Sequence, residues 1–395
     1  MRAARTSYAV LGAAVLAASG MAFFYGTSSG PDQPEPPYRH GLPGLALYAQ
    51  AVDHIGRAAL FVHADNPDRL VIDTLEAYLA QHDPYSDVLD ATEYAAWRQA
   101  GRASYAGVGM ELEKRRGGDV LCYPLPGSPA ALAGVVPGEL LAAVNGVPAS
   151  GKSLAALAAL ITGPAGSALS LEVVDADGRQ RLVSMTRAIV NAKTISDYRH
   201  GALRIIRLSS FRADTRRELD FLVSSWNPAR PLVIDLRGCG GGDFHAAVDA
   251  AMLFLRRGER IVSVQRRSGT RAYTSTLAGN RPPSPVYLWQ DGATASAAEV
   301  FIAALVDNAR AISVGATSAG KGTLQEIIPL AGGAALVLTT ASLSTPNGRR
   351  FDGQGLAPMQ ALAKGSSTDE YARQVRAAPG PRQTDPKGRR WTATP

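Results

Sequence analysis

The chain has 395 residues, 46% hydrophobic and 19% charged, a balance that excludes a disordered polypeptide and suits two or three folded units. Its net charge of +7 is mild and falls partly in arginine-rich ends, and no basic stripe is interleaved with aromatics, so no nucleic-acid partner is expected. Two cysteines, Cys122 and Cys239, make no disulfide scaffold, and six scattered histidines show no metal-ligand spacing, so neither a metal nor another cofactor is expected.

Residues 1–25 carry Arg2 and Arg5 ahead of an uncharged apolar run from Tyr8 to Tyr25. This predicts export from the cytoplasm to the cell envelope or periplasm, with the segment either cleaved as a signal peptide or kept as an inner-membrane anchor over 8–25. Residues 26–43 are a Gly/Ser/Pro linker. Over 44–103, apolar residues recur at helical spacing (Leu45, Leu47, Ala51, Ile55; then Leu70, Ile72, Leu75, Leu79), which predicts a helical unit broken at His82–Asp87.

Residues 104–190 read as a β-rich unit with Gly turns, a central strand at Leu140–Val144 and a helix at Leu154–Ile161. Within it Gly146–Ser153 matches G-x-x-x-x-G-K-[ST], the phosphate-loop pattern, and Leu232–Asp235 resembles an acidic Mg²⁺ strand. A nucleotide-binding protein is therefore a rival class. Pro148 argues against it, because it removes an N–H where the loop must donate one, and export would take the chain away from ATP. A surface turn is the favoured reading.

Residues 191–363 alternate strands and helices. Strands are predicted at Ala202–Phe211, Pro231–Leu236, Val286–Trp289 and Ala311–Val314, with helices at Arg216–Ser225 and Ala297–Val306. Residues 364–395 are polar and proline-bearing, and read as a disordered tail.

The chemistry concentrates in Pro285–Gln325. Ser296 falls at the mouth of a helix, where backbone N–H groups have no intrahelical partner and can hold an oxyanion. Glu299 suits the positive end of that helix. Lys321, on the Gly-rich turn after the next strand, is the nearest base in the chain, and it serves only if burial keeps it neutral. The same pattern fits a capping serine and a solvated turn lysine, and pattern alone favours that plainer reading.

Two motifs shift the weight. Thr294-Ala295-Ser296-Ala297-Ala298-Glu299 resembles the Ser-Ala-Ser-Ala-Ser-Glu motif of the carboxyl-terminal processing peptidases, and Gly320-Lys321-Gly322-Thr323-Leu324-Gln325 resembles their Gly-Lys-Gly-x-x-Gln motif. Gly107-Val108-Gly109-Met110 is similar to the carboxylate-binding loop of their inserted PDZ domain. Asp83-Pro84-Tyr85-Ser86 resembles Asp-Pro-His-Ser, and Phe351–Pro358 the closing segment. Asp235-Leu236-Arg237 and Gly241-Gly242 match Asp-Leu-Arg-Asn-Asn-Pro-Gly-Gly at its ends, while Gly238, Cys239 and Gly240 replace Asn-Asn-Pro.

The resemblance, over about Leu45–Met359, implies an α/β and α+β fold: a helical N-terminal cap, an inserted PDZ domain, and a mixed-sheet protease core split by that insertion. It implies a serine endopeptidase that cleaves exported proteins near their C-termini. Ser296 is then the nucleophile, Lys321 the general base and Gln325 the residue that orients it, with the N–H groups of Gly241 and Ala297 as the oxyanion hole. Gly107, Val108, Gly109 and Met110 would hold the free C-terminus of a protein or peptide substrate, and the PDZ domain could gate the core, as it does in relatives. An activating partner or a homo-oligomer is compatible with it. Loss of the proline predicts a looser oxyanion turn. Two alternatives stay open: a catalytically inactive PDZ peptide-binding protein, and a Ser296–His245 pair with Asp243 or Asp249 orienting the ring.

Overall fold

A computed structural model describes Phe23–Phe24, residues 43–58 and residues 67–377, apart from 84, 101–104, 116–117, 153, 191–193, 228–229 and 278–284. Most of the proposed export segment, the linker and the last residues of the tail lie outside this range. Among the described residues no helix is long and apolar enough to cross a membrane.

The core is built on a sheet in the order Ile195–His200, Leu203–Leu208, Leu232–Asp235, Val286–Gln290, Ala311–Gly315, Gln360–Ala361, parallel from the second strand onward. The central strands Leu232–Asp235, Val286–Gln290 and Ala311–Gly315 are buried along their whole length because both faces are covered. Ile206, Leu208, Leu232, Ile234, Val286 and Leu288 face the helices Thr215–Ser224, Phe244–Met252 and Ala297–Asp307. Alternate residues Leu203, Ile205, Val233, Tyr287, Trp289, Ile312 and Val314 face the other way.

The second face corrects the expectation for the tail. The segment from 364 was expected to be disordered, yet Thr368–Ala377 is a helix that sets Tyr371, Ala372 and Val375 against it. Three apolar residues at helical spacing suffice, and Tyr371 also donates from its hydroxyl to the Gln290 carbonyl at 2.8 Å. Composition averaged over a polar stretch hides so narrow a stripe. A further strand, Ile195–His200, which was not among those predicted, forms an antiparallel hairpin with Leu203–Leu208.

A second sheet holds Thr323–Pro329, Ala335–Ser344, Arg260–Arg266 and Gly269–Thr274. The strand Asp87–Leu89 joins it by pairing with Ala335–Val337, so the described residues of the cap form three helices plus a strand, not helices alone. The chain thus enters this sheet before the PDZ domain and completes it afterwards, which is the split core expected.

The PDZ domain is a five-stranded path, Met110–Lys114, Val120–Pro124, Glu139–Val144, Ala168–Val174, Gln180–Thr186, closed at its base by Tyr105–Gly107 against Ala188–Val190. The Leu154–Ile161 helix packs on Met110–Lys114, and the cap helix Ala91–Ala100 packs on that helix in turn. Asn145 and Gly146 take positive φ (50° and 75°) and turn Glu139–Val144 back onto Val147–Pro148. The phosphate-loop match is therefore a hairpin, whose Ala149 N–H is spent on the Ala142 carbonyl.

Cap and PDZ domain flank an open cleft of about 450 Å³ whose lining includes Glu76, Asp87, Lys114 and Asp119. Burial pushes the Asp87 carboxyl up to about 6, with Glu93 adding to the effect and Lys114 and the Val88 N–H opposing it. Burial and the Asp87 charge push Glu76 up to about 7. A carboxyl raised on folding stabilises the folded state in full below its unfolded value and loses that contribution as pH rises through the folded one. We expect Asp87→Asn to raise the melting temperature at pH 7.5, by up to about 2 kcal/mol of stability, and to leave it unchanged near pH 4. Melting curves of both chains against pH check this.

Candidate active site

Trp289 and Gln290 end a fully buried strand, and Asp291–Ala295 turn the chain into the Ala297–Asp307 helix. Asp291 organises the turn, taking the N–H groups of Ala293 (3.0 Å) and Gly238 (2.9 Å) on Oδ1. Ser296 follows with φ 55° and ψ −119°, and its side chain is 2% exposed. A non-glycine residue held at positive φ costs of the order of 1–3 kcal/mol and persists only where its surroundings force it. A cap alone does not need this backbone, since capping serines ordinarily sit in the extended region.

The surroundings that force it centre on Glu299, which is fully buried. Its Oε2 accepts the N–H groups of Ser296 and Lys321, each at 2.8 Å. Its Oε1 accepts the Gly320 N–H at 2.8 Å and the Ser318 hydroxyl at 2.5 Å. One carboxylate therefore pins the serine's backbone and the lysine's backbone. Burial pushes this carboxyl up to about 7 while the four donors pull it down. Both oxygens are saturated with donors, so the ionised form is the one the site is built around. Sequence reasoning gave Glu299 only a helix-end role, because its reach to a turn about twenty residues on is a tertiary fact.

Lys321 is 2% exposed, not a solvated turn residue. Burial lowers its pKa, against the opposing charges of Glu113, Glu299 and Asp352. The lowering is what a lysine base requires. Gln325, expected to orient it, lies on the next strand and is fully buried. Its Nε2 donates to Thr323 Oγ1 (3.0 Å) and Thr339 Oγ1 (3.1 Å), while its Oε1 has no hydrogen-bond partner. The cap reaches this point too, since the Thr339 N–H donates to Ser86 Oγ at 2.9 Å.

Gly241 adopts φ 115°, and a Cβ on it would stand 2.8 Å from Ser296 Cβ and 3.0 Å from the Ala297 nitrogen. Only glycine fits there, and the expected oxyanion residues are neighbours. Cys239 sits inside the turn, its thiol pushed up to about 12 by burial, with the Gly241 N–H opposing the shift. The turn expected to be looser is packed closely by its neighbours. A Cβ on Gly238 would meet Pro137 at 2.7 Å, and one on Gly240 would meet the Tyr123 ring at 2.8 Å. Both contacts come from the PDZ domain, which clamps the turn that a proline would otherwise stiffen.

His245 starts the Phe244–Met252 helix, exposed, with its ring against Phe244 (5.3 Å) and Tyr273 (6.0 Å). Asp243 is occupied in capping that helix through the Ala246 N–H at 2.6 Å. In the PDZ loop the Val108 and Met110 side chains are buried in the domain core, so the loop can offer a ligand only its backbone. The Ala130 and Leu125 N–H groups hold the carbonyls of Val108 (3.0 Å) and Gly109 (2.8 Å). Gly109 takes φ 65° directly against Ser128.

A split α/β core, a PDZ domain inserted ahead of it, and a buried serine and lysine tied to one carboxylate define the architecture of a PDZ-bearing peptidase. Comparison with known proteins agrees. Residues 203–361 match the model described as "Peptidase family S41", and residues 120–175 match that for the PDZ domain. Residues 203–361 thus carry the peptidase family's signature, and the chain as a whole is similar to carboxyl-terminal processing peptidases.

It is 28% identical over 295 residues to the carboxy-terminal processing protease CtpA of Bacillus subtilis, covering 74% of this chain but only 63% of that relative. It is 29% identical over 307 residues to the carboxy-terminal-processing protease of Bartonella bacilliformis, covering 75% of this chain and 70% of that one. Among solved structures it resembles the photosystem II D1 C-terminal processing protease, with a TM-score of 0.69 and 26% identity over 84% of this chain and 91% of that one. The expected family and fold are borne out.

Proposed function

We propose that the protein is a serine endopeptidase that cleaves exported polypeptides near their C-termini. The observation that carries this is the Glu299 clasp, which fixes a strained, buried serine and a buried lysine on one carboxylate. In this reading neutral Lys321 takes the Ser296 proton as the hydroxyl attacks the peptide carbonyl. The N–H groups of Gly241 and Ala297 stabilise the oxyanion. The lysine then protonates the leaving amine and water releases the acyl group. In this reading Gln325, whose buried Oε1 makes no hydrogen bond, is the group that accepts from the lysine and orients it. The PDZ loop Gly107–Met110 takes the substrate's terminal carboxylate on backbone N–H groups. Export by residues 1–25, with or without a retained anchor over 8–25, supplies its substrates in the envelope or periplasm.

The test is an unfolded polypeptide with an apolar free C-terminus, incubated with the chain lacking residues 1–30 and analysed by mass spectrometry. The expected result is C-terminally truncated product, and slower cleavage of the same polypeptide carrying a C-terminal amide. Intact substrate, together with measurable binding of its C-terminal peptide, would overturn the enzymatic reading in favour of a peptide-binding module.

A further inference from the structure

The strand Ala335–Ser344 changes sides along its length. Ala335 and Val337 pack with Leu89 in the cluster that cap and PDZ domain share, whereas Ala341 and Leu343 pack with Leu324 in the protease core. All four lie an even number of residues apart, and in a regular strand such residues share one face. The switch is a β-bulge. Leu324 pairs with Ala341 and Gln325 with Thr339, which leaves Thr340 unopposed. A bulge re-aims the side chains beside it. Here it sets Thr339 directly across from Gln325, on the face of Ala335 and Val337.

The Gln325 amide is satisfied at one end only. Its Nε2 has two hydrogens and two hydroxyl oxygens to receive them, Thr323 Oγ1 at 3.0 Å and Thr339 Oγ1 at 3.1 Å. Thr323 lies two residues back on the same strand, so it shares the face. With both hydrogens accepted, Oε1 is turned away from the threonines, and it is buried without a hydrogen bond. Buried amide oxygens are ordinarily paired, so an acceptor held open in the interior marks a place built for a donor.

Thr339 is held in turn from the cap. Pairing with Asp87–Leu89 stops at Val337, and beyond it the Thr339 N–H donates to Ser86 Oγ at 2.9 Å. Ser86 is 3% exposed. Its hydroxyl donates to Asp83 Oδ2 and its N–H to the Asp83 carbonyl at 3.1 Å, while Asp83 Oδ1 accepts the Tyr85 N–H at 3.0 Å. A carboxylate only accepts, so the Ser86 proton is committed to Asp83 and the lone pairs of Oγ are left for Thr339. The bonds therefore run in fixed directions from Asp83 through Ser86 to the Thr339 backbone, and from the Thr339 side chain to Gln325.

We propose that Thr339, carried on the bulge and held by Ser86, is a positioning residue for the protease site: with Thr323 it takes both amide hydrogens of Gln325 and so presents Oε1 to Lys321. This rests on the reading above, in which Gln325 orients the lysine. It gives the cap segment from Asp83 to Ser86 a task in catalysis, exerted through one hydrogen bond to the backbone of Thr339.

The test is kcat and KM on the unfolded polypeptide, for the full chain and its Thr339→Val, Thr339→Ser, Thr340→Val, Gln325→Ala and Ser296→Ala variants, with Thr339→Val also combined with Gln325→Ala. Thr339→Val keeps the branched shape and removes the oxygen, and we expect kcat to fall on the order of tenfold with KM unchanged. Thr339→Ser restores the oxygen and should recover most of the rate. Thr340→Val removes the neighbouring hydroxyl, which accepts from Arg266 at 3.1 Å, and should leave kcat where it was. In the Gln325→Ala background Thr339→Val should cost no more than about twofold further, because its effect passes through Gln325. If cleavage by Gln325→Ala falls below detection, the recovery in Thr339→Ser decides. If Thr339→Val melts well below the unmutated chain, Ser86→Ala takes its place in the same cycle. An unchanged kcat in Thr339→Val, no recovery in Thr339→Ser, or an equal loss with and without Gln325 overturns the proposal. Undiminished cleavage by Gln325→Ala overturns it together with the role given to Gln325, and undiminished cleavage by Ser296→Ala overturns the serine–lysine reading itself.

Discussion

Ser296→Ala and Lys321→Ala are each expected to lower cleavage by at least about 10³-fold, and Ser296→Gly to be equally inactive yet more stable than Ser296→Ala by about 1 kcal/mol. The activity losses follow from the roles proposed: without the hydroxyl nothing attacks, and without the amine nothing takes its proton. The stability difference follows from the backbone. Ser296 is held at φ 55°, a conformation glycine adopts freely and alanine does not. Glycine ordinarily loses stability against alanine through its greater freedom in the unfolded chain, so a gain at this position measures strain released. Steady-state kinetics and thermal melts of the three variants decide the matter. An alanine variant as stable as the glycine variant would show that the serine's backbone is not strained, and residual cleavage near the original rate would remove Ser296 or Lys321 from the mechanism.

The elements that position this site were legible where local pattern and tertiary demand coincide. The Leu154–Ile161 helix falls where its apolar run ends, and the parallel strands betray their two-sided burial as continuous apolar runs. Ser296, Lys321, Gln325, Gly241 and Ala297 were found through motifs, not through periodicity, because a capping serine and a turn lysine look the same in a single sequence as a buried pair. Contacts between domains left no such trace. Gly238 and Gly240 read as a weakening of the oxyanion turn, yet they are the residues that let Pro137 and Tyr123 approach it. Glu111 stands in no motif, and nothing nearby in the chain says that Ser210 will reach it. The Thr368–Ala377 helix was missed for the related reason that its apolar stripe is only three residues wide.

Glu299 carries the second large expectation, since it links the two halves of the site. Its oxygens receive four donors, three of them backbone N–H groups that cannot turn away. Glu299→Gln keeps the shape but puts an NH₂ group where one carboxylate oxygen stood, so two of those donors face a donor and one oxygen is left to serve the rest. Breaking a buried, charge-assisted network in this way costs about 3 kcal/mol or more. The catalytic loss is expected to be about 10²–10⁴-fold, because the Ser296 and Lys321 backbones are then no longer tied to a common point and a misplacement of about 1 Å costs about 10²-fold. Ser296→Ala makes a useful contrast. Both variants should fail to react with a serine-directed covalent probe, but only Glu299→Gln should also melt well below the unmutated chain. Glu299→Asp restores the charge with a shorter reach, so it should recover part of the stability and little of the rate. Full activity in Glu299→Gln would mean that serine and lysine find their register without the clasp. The strained backbone of Ser296 would then need another cause, and the turn formed by Asp291 is the element to examine for it.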